Sequence, residues 1–222
     1  MLVQKSTFGN KNIRIYKMKI TTQQIRQIIS EELNNILSEA AVGPEDLPED
    51  IRIMIDGISE DEIQISYVDS DGSSAGLGSM TVDTVVPLAS DFPCLKAMMV
   101  AWVETEKGYG PLLYDVAMEI ATMKAGGLVA DRTIVSDEAY DVWDYYVNER
   151  SDVEIIQLDN PEGELTPDFM DDDCLQTKTL EFAKKNNTNW YDEPTSRLYR
   201  KKPTTLEALE ELGLLILENF EI

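Results

Sequence analysis

The hydrophobic period of this chain changes at residue 108, and that change constrains the fold more than any other feature. Before it, apolar residues alternate with polar ones over 51–55 and 62–68, and 80–86 and 97–104 read as further strands. A period of two puts every second side chain on one face of a sheet, so these segments are predicted strands. After it, Leu112, Leu113, Val116, Ile120 and Met123 recur at helical spacing, which predicts a helix over 111–123 with those residues inward. Gly126-Gly127 ends that helix, and 128–135 contains a short strand. Ser136 caps a second helix over 137–148 that carries Ala139, Val142, Trp143 and Tyr146, and 153–158 is a further strand. An antiparallel run followed by β-α-β-α-β predicts an α/β (α+β) fold: a mixed, mainly antiparallel twisted sheet with helices on both faces.

The flanks read differently. Thr21 with Gln24 makes a capping-box pair, and Ile25, Ile29, Leu33, Ile36 and Leu37 give an amphipathic helix to about residue 40. Residues 1–17 carry no such pattern, and Met18 is a candidate start. Gly43-Pro44 and Pro48 mark a turn, and 69–78 reads as a loop. Within that loop, Asp69-Ser70-Asp71-Gly72 matches part of a calcium loop but lacks its third acid and closing Glu; a polar turn is expected and no metal site. Residues 160–173 are an acidic loop, 175–185 a helix, 197–200 an edge strand and 204–216 a last amphipathic helix. The expected organisation is an N-terminal extension over 1–45, a core over 46–160, and an extension over 161–222 packing on that core.

Composition then removes whole classes of function. The chain has no histidine, which excludes Ser–His and Cys–His nucleophile pairs and imidazole zinc sites. Acid–base chemistry must therefore use Asp, Glu, Tyr, Lys, Cys or water. A net charge of −23 lacks the basic footprint of a nucleic-acid binder and favours cationic partners. The charge is uneven: 45–91 has Arg52 as its one base, whereas Lys178, Lys184, Lys185, Arg197, Arg200, Lys201 and Lys202 cluster near the C-terminus. Cys94 and Cys174 fit no metal spacing and are expected to be reduced thiols. No apolar run approaches the ~20 residues of a membrane span, and the N-terminus lacks the pattern of a secretory signal. A cytoplasmic protein is expected.

The segment that carries chemistry is Gly108-Tyr109-Gly110-Pro111, between a strand and a helix. Glycines admit positive φ and close approach of a ligand to the backbone. The first N–H groups of the helix lack internal acceptors and lie at the positive end of its dipole, so the turn can hold a phosphate. It is not the dinucleotide fingerprint, because Leu113 stands at the third glycine position, and no Gly-Lys-Ser/Thr follows to make a P-loop. A plain strand-to-helix turn explains the two glycines equally well.

With its strands before and its capped helix after, this turn resembles the N-acetyltransferase (GNAT) superfamily over residues 50–160, in particular divergent phage-encoded members. The family pattern Arg/Gln-x-x-Gly-x-Gly/Ala falls on Thr105 to Gly110, with both glycines kept and the Arg/Gln replaced by Thr105. Pro111 removes one phosphate donor, and Lys107 restores some positive charge. The family's Asn, Ala and Tyr of the second helix correspond to Ser136, Ala139 and Trp143. The resemblance implies acetyl-coenzyme A held by Trp102, Val103, Lys107, Gly108, Tyr109, Gly110 and Ser136, and attack on its acetyl group by an amine of a small molecule or protein. Glu104 is then the leading base, with Glu106 next. The family's tyrosine protonates the departing thiolate, which an indole cannot do, so Tyr140 and Tyr146 (or Tyr145) become the candidate acids. Trp102, Tyr109, Tyr114, Tyr140, Trp143, Tyr145 and Tyr146 form an aromatic set around these elements, mostly as core or rim packing, with a few expected to line an acceptor groove. Asp131-Arg132 reads as a local ion pair or a structural anchor. The substitutions at Thr105 and Trp143, together with the acidity, equally suit a non-catalytic protein of this fold: a virion component or a host-directed acidic factor.

Overall fold

The computed structural model describes residues 41–83, 97–131, 133–158 and 177–221. Four strands run consecutively as an antiparallel meander: β1 (Ile51–Ser59), β2 (Glu62–Asp69), β3 (Ser74–Asp83) and β4 (Met98–Thr105). The chain then alternates through α1 (Gly110–Lys124), β5 (Leu128–Val129), α2 (Asp137–Glu149) and β6 (Val153–Gln157). It ends with α3 (Thr177–Asn186), β7 (Arg197–Lys201), α4 (Thr204–Glu211) and β8 (Leu215–Glu218). All eight strands share one sheet in the order β6-β7-β5-β4-β3-β2-β1-β8. Pairing is antiparallel except for β4 with β5 and β1 with β8. The expected mixed, mainly antiparallel sheet is therefore present.

Alternation does in space what it implies in sequence. Ile53, Ile55, Ile63, Ile65, Tyr67, Met80 and Val82 point to one face and are buried. The buried residues of all four helices, among them Leu113, Trp143, Phe182 and Leu209, join the same cluster. Among the described residues the helices thus cover one face rather than both. The expected N-terminal helix, together with Cys94, Cys174 and the acidic loop, lies outside the described residues. Helix α1 is buried almost all round, since α4 and the sheet both pack on it. Met123, expected inward, is 40% exposed at its far end. No helix of the described residues is long and apolar enough to cross a membrane.

Three further expectations differ from the structure. Residues 74–78, read as loop, begin β3; Ser74 and Ser79 pair with Val68 and Ser66 although glycines interrupt the apolar pattern. Residues 197–200, expected as an edge strand, belong to β7, which lies between β5 and β6, so residues beyond 160 are part of the sheet itself. The last helix, expected over 204–216, stops at Glu211, and 215–218 forms strand β8 beside β1. Gly213 at φ 68 breaks the helix there, and the free edge of β1 supplies the ladder that isolated helical spacing does not reveal. The short strand expected within 128–135 is present as Leu128–Val129. Beyond it Asp131 draws the chain into a turn, its Oδ1 accepting the N–H groups of Thr133 and Ile134 at 2.6 and 2.8 Å. Arg132, the other half of the expected Asp131-Arg132 pair or anchor, lies outside the described residues.

Candidate functional site: a wedge between two parallel strands

The short β5 creates the site. β4 pairs with β5 only through Met98↔Leu128 and Met99↔Val129, and then continues alone to Thr105. On its other side β4 carries a bulge: Thr81 faces Trp102 and Val82 faces Val100, which leaves Ala101 as the extra residue. A bulge bends its strand and re-aims the groups around it. The two strands splay, and a cleft of about 150 Å³ opens between them. Its walls are Val100–Val103 of β4, Ile134 and Val135 of the Asp131 turn, Ser136 and Ala139 of α2, and the rings of Tyr114 and Trp143.

The glycine turn lies at the open end of β4. Gly108 takes φ 91, a left-handed conformation that favours glycine. Gly110 opens α1 and is buried; a Cβ there would stand 3.3 Å from Thr105 Oγ1. Thr105, standing where the family pattern has Arg or Gln, thus packs against the second glycine. Tyr109 at the N-cap provides no side-chain cap, and the first turn of α1 holds no acid, so the positive end of the helix keeps its field. The turn is braced by Tyr67, whose hydroxyl donates to the Tyr109 carbonyl at 2.6 Å and whose ring meets Tyr109 edge-on. Burial pushes the Tyr67 phenol well above its ordinary pKa, which keeps it a donor. Lys107 is exposed at the tip.

On the other side of β4 a second, polar groove of about 380 Å³ runs over the sheet face that no described helix covers. Gln64, Ser66, Ser79, Glu104 and Glu106 contribute to it, and Trp102 lines both this groove and the wedge. Trp102 is 49% exposed, an unusual position for a large aromatic ring.

The sequence-derived candidates therefore separate into groups. Trp102, Val103 and Ser136 line the wedge; Ser136 also caps α2, its Oγ accepting the Ala139 N–H at 3.1 Å. Lys107, Gly108, Tyr109 and Gly110 form the turn between β4 and α1 and do not line the wedge, and Glu104 lies in the groove across β4. Tyr140 and Tyr146 are not among the wedge-lining residues. The Tyr140 hydroxyl donates to Glu193 at 2.6 Å, and that of Tyr146 donates to Asp115 at 2.6 Å and to the Pro111 carbonyl at 3.0 Å. Burial first, then the neighbouring carboxylates, hold both phenols far above their usual pKa. Trp143 fills the place between them, stacked at 4.7 Å on Tyr199.

Sequence reasoning placed Tyr114 among packing aromatics without a role. It stands one helical turn beyond Gly110, so its spacing from the glycine was the available signal. The residue is 2% exposed, and among the described residues its hydroxyl has no hydrogen-bond partner.

No grouping of acids or cysteines suited to a metal ion occurs among the described residues, and the Asp69–Gly72 segment is a turn closed by Ser73 bonds to Asp69 and Asp71. Comparison of the chain with family models, with curated proteins and with solved structures found no match.

Proposed function

We propose that this protein is an acetyl-coenzyme A-dependent N-acetyltransferase with a GNAT-type fold, acting on a cationic amine. The observation that carries the reading is the wedge itself: a bulged β4 leaves β5 beside a glycine turn and an uncapped helix start. Such a splay frees the backbone groups of β4 beyond Met99 from strand pairing on the β5 side, and a thioester carbonyl beside Trp102 and Val103 would find donors there. The pyrophosphate would sit on the glycine turn, held by the first N–H groups of α1 and by Lys107.

The acceptor reaches the thioester from the groove across β4, where Trp102 joins the two spaces. Glu104 takes a proton from the ammonium, directly or through water, and the free amine attacks the acetyl carbon. The N–C bond forms, the C–S bond breaks, and the sulfur leaves with the bonding pair. Glu104 and Glu106 in the groove favour a positively charged acceptor.

A second reading, a non-catalytic protein of the same fold working through its acidic surface, is favoured by one observation. The hydroxyls of Tyr140 and Tyr146 are both engaged by carboxylates, and Trp143 stands where the family has its acid. Calorimetric titration with acetyl-coenzyme A separates the two. The enzyme reading expects saturable binding that Lys107→Glu weakens; absence of binding at millimolar cofactor would leave only the second.

A further inference from the structure

We propose that the groove over the open face of the β1–β4 meander docks a short, extended, basic peptide segment, one cationic side chain of which stacks on the Trp102 indole. The inference does not rest on acyl transfer and goes beyond both readings above, since it names a partner that either kind of protein would hold.

The shape of the groove follows from small residues in register. Trp102 stands opposite Thr81 and Glu104 opposite Ser79 across β3 and β4. Thr81 and Ser79 in turn stand opposite Gln64 and Ser66 across β2 and β3. Their chain neighbours Ile63, Ile65, Met80 and Val82 are buried in the core, so alternation turns these two rows to the opposite face. Gly72, Gly76 and Gly78 continue the floor without side chains, and at Gly76 an added Cβ would meet nothing within 4 Å. Between the lining residues Gln64 and Val68 the floor extends about 13 Å, the length of about four extended residues. The hydroxyl and amide groups along it can bond a peptide backbone. Trp102, half-exposed, offers the kind of ring that interfaces bury at their centres.

Charge decides which peptide. Glu104 and Glu106 line the groove, and no lysine or arginine does. Arg52 is the one base in β1 to β4, and its guanidinium donates to the Glu49 and Ile51 carbonyls at 2.8 Å each. At the end of β3, burial and then the Glu62, Asp131 and Asp61 carboxylates hold Asp83 above its ordinary pKa, so acids here crowd one another. A guanidinium beside Glu104 relieves that field and, two residues along the same face, meets the indole ring that attracts a cation. Other occupants fit less well. Nucleic acid would bring phosphates to carboxylates. A second copy would bring another net charge of −23. A small cation in an open groove keeps most of its water, whereas a peptide spreads its contacts along the floor.

The test uses tetra-arginine blocked at both ends, titrated by calorimetry at about 0.15 M salt, beside spermine as a small cation of similar charge. The peptide should bind saturably and about tenfold more tightly than spermine. Trp102→Ala should weaken it about tenfold, as should Glu104→Gln combined with Glu106→Gln. Ser66→Arg, which places a cation on the floor, should abolish binding, and keeps the test decisive if Trp102→Ala lowers the melting temperature. Glu210→Gln combined with Glu211→Gln removes the same charge from exposed positions on α4, across the sheet from the groove, and should leave affinity within about twofold. An equal loss in the α4 pair overturns the proposal in favour of diffuse charge. Spermine binding as tightly as the peptide overturns the peptide as occupant. Unchanged affinity in Trp102→Ala and Ser66→Arg overturns the site, and so does absence of peptide binding at millimolar concentration. Coenzyme A binding is read in its own titration, so the failure of the enzyme reading and the failure of this one are told apart.

Discussion

Two residues on helix α1, little more than a turn apart, show how differently buried polar groups can be treated. Tyr114 borders the wedge and its buried hydroxyl has no partner among the described residues, whereas both carboxylate oxygens of Glu119, which has no exposure at all, are hydrogen-bonded. Its carboxylate takes the N–H groups of Thr205 and Leu206 at 2.7 Å each, capping α4, and forms an ion pair with Lys201 of β7. Lys201 Nζ in turn donates to Thr204 and Thr205 at 2.9 and 2.7 Å, and lies 3.8 Å from Asp115. Arg150 completes the cluster by bridging Asp115 and Asp152 at 2.9 and 2.7 Å. The inner half of α1 therefore fastens β7 and α4 to the sheet, while its outer half borders an open space. A closed polar network belongs to the architecture, and an open one beside a cleft invites a ligand.

The largest effect should come from breaking the closed side. Glu119→Ala leaves the Lys201 ammonium buried beside Thr204 and Thr205 and uncaps α4, and should cost about 3–5 kcal/mol in urea unfolding. If the loss were below about 1 kcal/mol, the contrast between the two halves of α1 would collapse. Ser136→Ala, at the boundary of wedge and α2, should cost about 1 kcal/mol by removing the helix cap. Tyr114→Phe should cost nothing, which makes it the counterpart of Glu119→Ala on the same helix.

A smaller and purely electrostatic contrast concerns pH. The Arg150 hydrogen bond holds Asp152 below its ordinary carboxylate pKa, so its contribution to stability is full above that ordinary value and is lost as pH falls through the lowered one. Asp141 and Asp144 on α2 behave oppositely. Burial, reinforced by Asp137 and Glu138 for the first and by Asp141 for the second, raises both. A raised acid makes the folded state bind its proton first, so stability should rise as pH falls from neutral toward the ordinary carboxylate range. Asp141→Asn with Asp144→Asn should flatten that rise, and Asp152→Asn should remove the decline at lower pH; urea midpoints across the acid range test both.

Much of this architecture is legible in the residues themselves. Alternation over 51–55 and 62–68, the glycine turn before Pro111, and the Ser136 cap each report a local preference, and the corresponding elements formed. The wedge residues Trp102, Val103 and Ser136 were reached through the family resemblance rather than through such local preferences, although Ser136 also carries a cap signal of its own. Where the sequence misled, a distant partner overrode a local pattern. Leu215 and Ile216 continue a helical spacing, yet they complete the sheet because Ile53 and Met54 offered a free edge. Arg197–Lys201 became an interior strand only because β5 and β6 left a gap of its width.

The sequence by itself determined the kind of fold, the glycine turn and the absence of imidazole chemistry, because those follow from periodicity, backbone freedom and residue inventory. Only the tertiary structure decided which polar groups meet. Glu119 and its partners lie more than eighty residues apart in the chain, and Tyr114 acquires its place beside Trp143 from helix packing rather than from spacing. A hydrogen bond made or left open depends on the three-dimensional position of both partners, and a linear pattern records only one of them.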